Sequence, residues 1–231
     1  MKPEKMSEAE YKKNYFKSGR MDSLYASYPD PWRLAVDGHD RYLKILTTID
    51  SYFRERNPER IVDLGCGEGV LSRMLARRYQ AQVYGIDISQ TAVDRAFEDK
   101  QENTFFSVCD MGKGIVPLTQ KMDVIILGDI LYYLNDKIEV AHAISEVDRL
   151  LDVDGIIIMT EFPKTRKYVK LLSERFDLIH ESREVVRYKK TPIDLKENSQ
   201  LTYRLTVFRR KEQSDGSSDE LCEAGSPSRH S

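Results

Sequence analysis

The sequence has no apolar run long enough to cross a membrane, and its first residues contain no apolar secretory core. It has only three cysteines, Cys66, Cys109 and Cys222, which cannot all pair and do not have the spacing of metal ligands. These absences predict a reduced, cytoplasmic protein that makes no membrane contact and holds no metal.

The sequence also has no large excess of positively or negatively charged residues. The 36 Lys and Arg residues are balanced by 38 Asp and Glu residues, which leaves a net charge of −2. Proteins that bind nucleic acid usually carry a positive field, so we do not expect nucleic acid to be the main partner. The length of 231 residues suits one α/β domain with appendages.

Five short apolar runs, each followed by a helix or a turn, occupy the middle of the chain. Their near-continuous β-branched residues are typical of a parallel sheet that is covered on both faces. The predicted strands are 60–64, 82–86, 104–109, 122–127 and 155–160. Two later extended stretches, 176–188 and 201–210, are predicted to form an antiparallel pair that closes the sheet. The predicted fold class is therefore α/β.

The alternation within the last stretch predicts that its strand has one wet face. Thr202, Arg204 and Thr206 alternate there with apolar residues. Before the first strand, apolar residues at helical spacing predict a helix over 40–56. Between the strands, Ser89 is predicted to cap one helix. Another is predicted to begin at Asp136 and to bury Ala141, Ile144, Val147 and Leu151.

The most informative segment runs from Arg60 to Leu71, where a short apolar strand gives way to three alternating glycines and then a helix. Glycines at such a turn let the backbone approach a ligand closely. Asp63 precedes the turn at the carboxyl end of the strand, where open α/β sheets bind ligands. A dinucleotide site would have G-x-G-x-x-G, but Val70 stands at the sixth position and Gly69 comes one residue early.

Acidic residues also stand at the ends of the next two strands. Asp87 follows the glycine turn by about twenty residues, where a carboxylate accepts hydrogen bonds from ribose hydroxyls. Its alternative role is to cap a helix, but Ser89 already serves there. Asp110 can accept from an adenine amino group with Met111 over the ring, or it can simply begin a turn. Both interpretations of Asp110 stay open.

The glycine turn, with its D-x-G-x-G-x-G spacing, resembles the first motif of class I S-adenosylmethionine (SAM) dependent methyltransferases. Residues 60–160 look like the core of that family. Two strings are similar to its nodulation-protein-S-like group: Asp30-Pro31-Trp32-Arg33, and the segment from Leu127 to Leu134. The chain has Gly128-Asp129 and His39-Asp40-Arg41 where that group tends to have Ser-Glu and Tyr-Glu-Arg, which leaves the substrate open.

The resemblance implies a doubly wound, Rossmann-like sheet of seven strands, six parallel and the last antiparallel. It implies SAM as the cofactor, bound by Asp63, Gly65, Cys66, Gly67, Asp87, Ile88, Asp110, Met111 and Gly128. It also implies that residues 1–40 form a lid over a domain at 41–212, with Trp32 and Arg33 lining the methionine end and Arg33 or Arg41 facing its carboxylate. The alternative is that Trp32 anchors the segment and Arg33 is solvated. The tail, 213–231, has little to bury and is predicted to be disordered.

The resemblance implies transfer of a methyl group from SAM to a nitrogen or oxygen nucleophile of a small molecule or saccharide. Asp129 is the first candidate base and His39 the second, and Tyr28, Tyr132, Tyr133 and Glu161 are candidates for the substrate side. For Tyr133, ordinary packing is the alternative.

Two other functions stay open. One is methylation of a protein or RNA, for which Arg183, Arg187, Lys189 and Lys190 form a basic stretch; the other is SAM binding without catalysis.

Overall fold

The computed structural model describes residues 20–31, 35, 38–161, 166–188 and 199–212, without the side chains of 186–188 and 199–201. The helices in these ranges are α1 (Met21–Ser27), α2 (His39–Tyr52), α3 (Val70–Tyr79), α4 (Gln90–Glu98), α5 (Lys137–Leu150) and α6 (Lys167–Ser173). The strands are β1 (Arg60–Leu64), β2 (Gln82–Asp87), β3 (Thr104–Val108), β4 (Met122–Gly128), β5 (Leu151–Glu161), β6 (Phe176–Tyr188) and β7 (Ser199–Arg210). A 3₁₀ turn, Leu131–Tyr133, follows β4.

The seven strands form one sheet in the order β3-β2-β1-β4-β5-β7-β6. Strands β1 to β5 pair in parallel, and β7 lies antiparallel between β5 and β6. Six strands therefore run in one direction and the last runs in the other, which confirms the predicted fold class. The strand order reverses between β1 and β4. In open α/β sheets the ligand crevice lies at such a reversal, outside the carboxyl ends of the strands.

Apolar side chains cover both faces of the sheet. Val62 and Ile125 lie in the core on the side of α5, and their chain neighbours Ile61 and Val124 lie in the core on the side of α2 and α3. Successive residues of a strand point to opposite faces, so a strand buried on both faces must be apolar throughout. This explains why the central strands read as continuous apolar runs.

Helix α2 ends at Tyr52, before the predicted end at Arg56. The cause lies in Asp123, near the start of β4. Its carboxylate accepts the backbone N–H groups of Glu59 and Arg60 at 2.8 and 2.9 Å, and it pairs with the Arg56 guanidinium at 3.0 Å. These bonds hold the end of the segment against β4, so it turns into β1 and does not extend the helix.

Strand β5 begins at Leu151, earlier than the predicted Gly155. Leu151 pairs with Met122 of β4, and the register then shifts before Val124 pairs with Ile156. The sequence assigned Leu151 to the buried face of a helix. It is buried, but as the first residue of a strand.

Helix α5 begins as predicted, with the Asp136 carboxylate accepting the N–H groups of Ile138 and Glu139. Its buried face is different from the prediction at one position. Ala141 is exposed, and Ala143 packs in the core in its place.

The prediction that β7 has a wet face is wrong. Thr202 is exposed, but Arg204 and Thr206 are only 1% and 0% exposed. Strand β7 lies between β5 and β6, and the side chains of Glu161 and Glu181 from these two strands meet Arg204 on this face. The Thr206 hydroxyl donates to the Met159 carbonyl at 3.3 Å.

None of the helices in the described ranges is long and apolar enough to span a bilayer.

Candidate functional site

The loop between β1 and α3 is a tight turn built on glycines. Gly65, Gly67 and Gly69 have φ angles of 81°, 53° and 73°, in the left-handed region that other residues avoid. A Cβ on Gly65 would overlap Cγ2 of Ile130, and one on Gly69 would lie 2.7 Å from the Phe106 ring. The turn therefore requires glycine for its backbone and for its neighbours.

Asp87 joins this turn to the start of α4. One of its carboxylate oxygens accepts the Gly67 N–H at 2.9 Å, and the other accepts the Ser89 N–H at 2.9 Å. Burial raises the pKa of Asp87, and these backbone bonds oppose the rise. Each oxygen can accept a second hydrogen bond, so the carboxylate keeps capacity for ribose hydroxyls. The predicted cap is confirmed, because Ser89 accepts the Ala92 N–H.

Asp63 is buried just before the turn, and Cys66, within the turn, is half-buried. The Asp63 carboxylate accepts the Ser72 hydroxyl of α3 at 2.7 Å, and its burial raises its pKa to about 6. Burial also raises the pKa of the Cys66 thiol, which packs beside Val93 and Phe106. These contacts give both residues a part in holding the turn, and their contact with a cofactor stays a prediction.

At the end of β3, Asp110 begins a turn. Its carboxylate accepts the Gly112 N–H at 3.0 Å, and it lies 3.4 Å from the Lys113 ammonium. Met111 is buried in the core on the side of α5. The turn interpretation of Asp110 is therefore confirmed. The adenine role is compatible with this geometry, because the carboxylate can accept further bonds, and it stays a prediction.

Asp129 follows β4 with a φ of 57°, and its N–H donates to the Thr160 carbonyl at 3.1 Å. One carboxylate oxygen, Oδ2, forms an ion pair with the Arg41 guanidinium of α2. The other, Oδ1, is buried and has no hydrogen-bond partner among the described residues. Gly128, just before it, has open space where a Cβ would stand, as judged from the described atoms. This is the point where the strand order reverses.

A second group of buried charges adjoins Asp129. Glu161, the last residue of β5, pairs with Arg204 of β7 at 2.5 Å. Arg204 also lies 3.0 Å from Glu181 of β6, which pairs with Arg166 at 2.6 Å. Burial raises the pKa of Glu161, Arg204 opposes this, and the charge of Asp129 adds to it. The carboxyl ends of β4 and β5 thus hold two carboxylates, each paired with a buried arginine.

The predicted aromatic residues of the substrate side lie near α1 and the turn after β4. Tyr28 and Tyr133 pack, together with Ile88, against Met21 and Leu24 of α1. The rings of Tyr132 and Tyr133 lie 4.6 Å apart between centroids. Tyr133 therefore has the packing role that was its alternative.

The structure gives less support to the roles predicted for His39 and for the lid residues. His39 is the exposed first residue of α2, and the cation that the structure places on Asp129 is Arg41. Trp32 and Arg33 lie outside the described residues, as does the tail from residue 213, so their roles stay predictions. Within the described ranges, no group of three His, Cys, Asp or Glu residues is close enough to hold a metal ion.

The predicted lid, residues 1–40, contains α1, but the sequence assigned no individual role to Asp22 or Tyr25 of this helix. Asp22 accepts the Ser89 hydroxyl and the Thr91 N–H, each at 2.8 Å, so it shares the cap of α4. Tyr25 is buried beside the glycine turn. No sequence pattern marked these two residues. For Arg204 a signal existed, since a lone arginine between Tyr203 and Leu205 in a central strand needs a buried acid.

Residues 56–211 match the family described as a methyltransferase domain. The chain belongs to this family. By family and fold it is a class I SAM-dependent methyltransferase, as the D-x-G-x-G-x-G spacing indicated. The N-terminal segment before residue 56 lies outside the match.

The resemblance to nodulation protein S is also confirmed. This methyltransferase is 26% identical to nodulation protein S of Bradyrhizobium diazoefficiens over 133 residues, which are 56% of the chain and 61% of the relative. It is 31% identical to ribosomal protein L11 methyltransferase of Streptococcus agalactiae over 137 residues, 56% of the chain and 37% of the relative. The chain thus spans less than two thirds of either relative.

The fold of the methyltransferase is shared with solved structures. The N-methyltransferase NodS of Bradyrhizobium japonicum, in complex with S-adenosylhomocysteine, superposes with a TM-score of 0.65 and 19% identity. The match covers 82% of this chain and 97% of the other. At this identity the match establishes the fold alone.

Proposed function

We propose that this methyltransferase transfers a methyl group from SAM to a nitrogen or oxygen nucleophile of a small molecule or saccharide. The observation that carries the proposal is the carboxylate of Asp129. It is buried at the strand-order reversal beside the glycine turn, and its Oδ1 has no partner among the described residues. A buried acceptor without a partner is costly, so a donor N–H or O–H group in the crevice would satisfy it.

SAM, when bound, supplies a methyl group on a positively charged sulfur. The chain's own residues position the cofactor and the nucleophile. The glycine turn allows close approach, Asp87 offers acceptors to ribose hydroxyls, and Asp129 orients the N–H or O–H of the nucleophile. Orientation of two reactants can supply about 7–11 kcal/mol of the barrier. Removal of the nucleophile's proton by a positioned carboxylate adds a factor of about 10²–10⁴.

An acceptor group that carries N–H or O–H donors is supported by the character of the polar edge. Asp129 and Glu161 are both carboxylates, both are buried and each is held by an arginine, so this edge presents acceptors to a group that donates. The similarity to nodulation protein S and to an N-methyltransferase structure supports nitrogen as the first nucleophile to test.

The proposal is tested by following labelled methyl groups. Purified protein is incubated with methyl-labelled SAM and, in separate reactions, with amino sugars and chitin-type oligosaccharides, total small-molecule extract, total protein and total RNA. We expect label in a low-molecular-mass product, and we expect Asp129→Asn to lose most of the transfer while it keeps its affinity for S-adenosylhomocysteine. Binding of NAD with no binding of S-adenosylhomocysteine would reject the proposal at the level of the cofactor.

Methylation of a protein is the second candidate, and the similarity to ribosomal protein L11 methyltransferase favours it over RNA. Of the basic stretch, Arg183 is exposed on β6, and the side chain of Arg187 and residues 189 and 190 lie outside the description. Label in the protein fraction that is lost with Asp129→Asn would select this candidate. Tight binding of S-adenosylhomocysteine with no transfer to any fraction would select a non-catalytic SAM-binding protein.

A further inference from the structure

Helix α1 is fixed over the glycine turn by contacts at three points. Asp22 accepts two hydrogen bonds at the start of α4, from the Ser89 hydroxyl and the Thr91 N–H. The Asp30 N–H, just after the helix, donates to the Glu68 carboxylate at 3.2 Å. Between them, a Cβ built on Gly67 would lie 2.7 Å from the Tyr25 hydroxyl oxygen and 3.6 Å from its ring.

Tyr25 is therefore in contact with the glycine that Asp87 binds. The Gly67 N–H donates to the Asp87 carboxylate, so the Tyr25 hydroxyl and this carboxylate both lie close to Gly67. Tyr25 is only 6% exposed, and burial together with the negative charge of Asp87 raises its pKa well above the ordinary value. The phenol is thus neutral and keeps its O–H donor at every physiological pH.

We propose that Tyr25 is a cofactor-binding residue whose hydroxyl bonds to the ribose of SAM opposite Asp87, and that Asp22 is the positioning residue that sets Tyr25 there. This inference rests on the cofactor site of the proposed function. A carboxylate accepts hydrogen bonds only, whereas a phenol both donates and accepts, so together they match the two hydroxyls of a ribose. The packing of Ile88 against Met21 and Leu24 closes the same side of the site.

The test is calorimetric titration with two probes, S-adenosylhomocysteine and 5′-methylthioadenosine, which retains the ribose but lacks the amino-acid part. Tyr25→Phe is expected to weaken both probes by about 3- to 10-fold, the effect of one neutral hydrogen bond. Tyr25→Ala is expected to weaken both further. Tyr79→Phe is the matched control. Its hydroxyl bonds to Leu46 and Asp50 away from the carboxyl edge, so it should lower the melting temperature and leave both affinities unchanged.

The role of Asp22 is tested by a conservative pair. An amide oxygen can still accept from Ser89 and Thr91, so Asp22→Asn should keep the parental affinity, and Asp22→Ala should weaken both probes as Tyr25→Phe does. Melting temperatures without ligand show whether each variant is folded. Equal affinities for Asp22→Ala and the parent would reject the positioning role.

Three results would overturn the proposal for Tyr25. Unchanged affinity in both Tyr25 variants would make it a packing residue. Tighter binding in Tyr25→Ala would mean that the side chain occupies the space of the cofactor. Loss of affinity for S-adenosylhomocysteine alone would show that Tyr25 contacts the amino-acid part of the cofactor and not the ribose. If the parent protein binds neither probe, the proposed function fails, which is a distinct result.

Discussion

Arg41 and Asp129 form an ion pair across the carboxyl edge of the sheet, although they are 88 positions apart in the sequence. Both side chains are buried, at 9% and 11% exposure. The pair holds Oδ2 of the carboxylate that we propose as the acceptor-orienting group, while Oδ1 is buried and has no partner among the described residues. The resemblance offered Arg41 as one of two cations for the carboxylate of the cofactor. In the structure it serves a carboxylate of the chain itself.

Removal of one partner of this pair should be strongly destabilising. Arg41→Met leaves the Asp129 charge buried without its cation, and such a change costs about 3–5 kcal/mol of the free energy of unfolding. The double variant Arg41→Met/Asp129→Leu should recover much of this loss. Urea denaturation of the two single variants and the double variant measures the coupling.

The exposed pair of Arg78 and Asp50 provides the matched control, since its side chains are 48% and 36% exposed. Arg78→Met should cost no more than about 1 kcal/mol. If Arg41→Met and Arg78→Met lower the free energy of unfolding equally, burial of the Arg41–Asp129 pair does not increase its contribution to stability.

The stability of the protein should depend on pH through Asp63. Its pKa is about 6 in the folded protein against an ordinary 3.8, so the folded state binds a proton more tightly than the unfolded state. Stability should therefore be highest below pH 3.8 as far as this group is concerned, and it should fall by about 3 kcal/mol as pH rises through 6.

Asp63→Asn should remove this fall and be more stable than the parent at pH 7, because the amide still accepts the Ser72 hydroxyl. Denaturation at pH 4 and pH 7 measures most of the difference. Asp50→Asn is the control of opposite sign, since Arg78 holds the pKa of Asp50 below its ordinary value. It should lower stability at pH 7. A parental pH dependence that Asp63→Asn leaves unaltered would contradict the assignment.

Replacement of Asp87 should weaken binding of S-adenosylhomocysteine and also lower stability. Two hydrogen bonds to a charged acceptor, at about 1.5–3 kcal/mol each, correspond to a loss of about 100-fold or more in affinity for Asp87→Ala. The bonds from Gly67 and Ser89 are lost as well, so the melting temperature should fall. Calorimetric titration and thermal melting measure the two effects.

Asp136→Ala provides the comparison for Asp87. Asp136 also accepts two backbone N–H groups, at the start of α5, and its loss should cost about 0.5–2 kcal/mol of stability. Affinity for S-adenosylhomocysteine should not change. If both variants bind it as tightly as the parent, Asp87 has no ribose role.

Two glycines of the site should respond differently to alanine. Gly65→Ala puts a Cβ on Ile130 at a positive φ, which strains the turn by about 1–2 kcal/mol before any clash. Gly128→Ala meets no atom of the described residues and has no positive φ, so it should fold like the parent. If Gly128 lines the cofactor site, this variant should still lose affinity for S-adenosylhomocysteine. An affinity equal to that of the parent protein would show that Gly128 does not line the cofactor site.

Local features were predictable because their causes lie within a few residues. The bounds of β1, the cap by Ser89 and the start of α5 at Asp136 follow from apolar period and cap chemistry. The glycine turn was also predictable, because a left-handed backbone at three alternate positions requires glycine wherever the rest of the chain lies.

The failures have a common cause in contacts between distant segments. The end of α2 was missed because Asp123, far along the chain, binds the segment that follows. The prediction of a solvent-exposed face on β7 was wrong for this reason. Alternation with a period of two gives no information about which strands lie beside β7. Arg204 alternates like a surface residue, yet Glu161 and Glu181 meet it from the strands on either side.

The sequence by itself thus determined the fold class, the family and the edge of the sheet at which the glycine turn and the acidic residues lie. These depend on local backbone requirements and on the carboxyl ends of strands, which the pattern marks directly. Only the tertiary structure decided which charges meet, that Arg41 holds Asp129, that Arg204 joins two acids, and that Tyr25 lies on the glycine turn. Side chains from separate elements come within hydrogen-bond distance only when the packed helices and strands fix their positions, and no spacing along the chain records that distance.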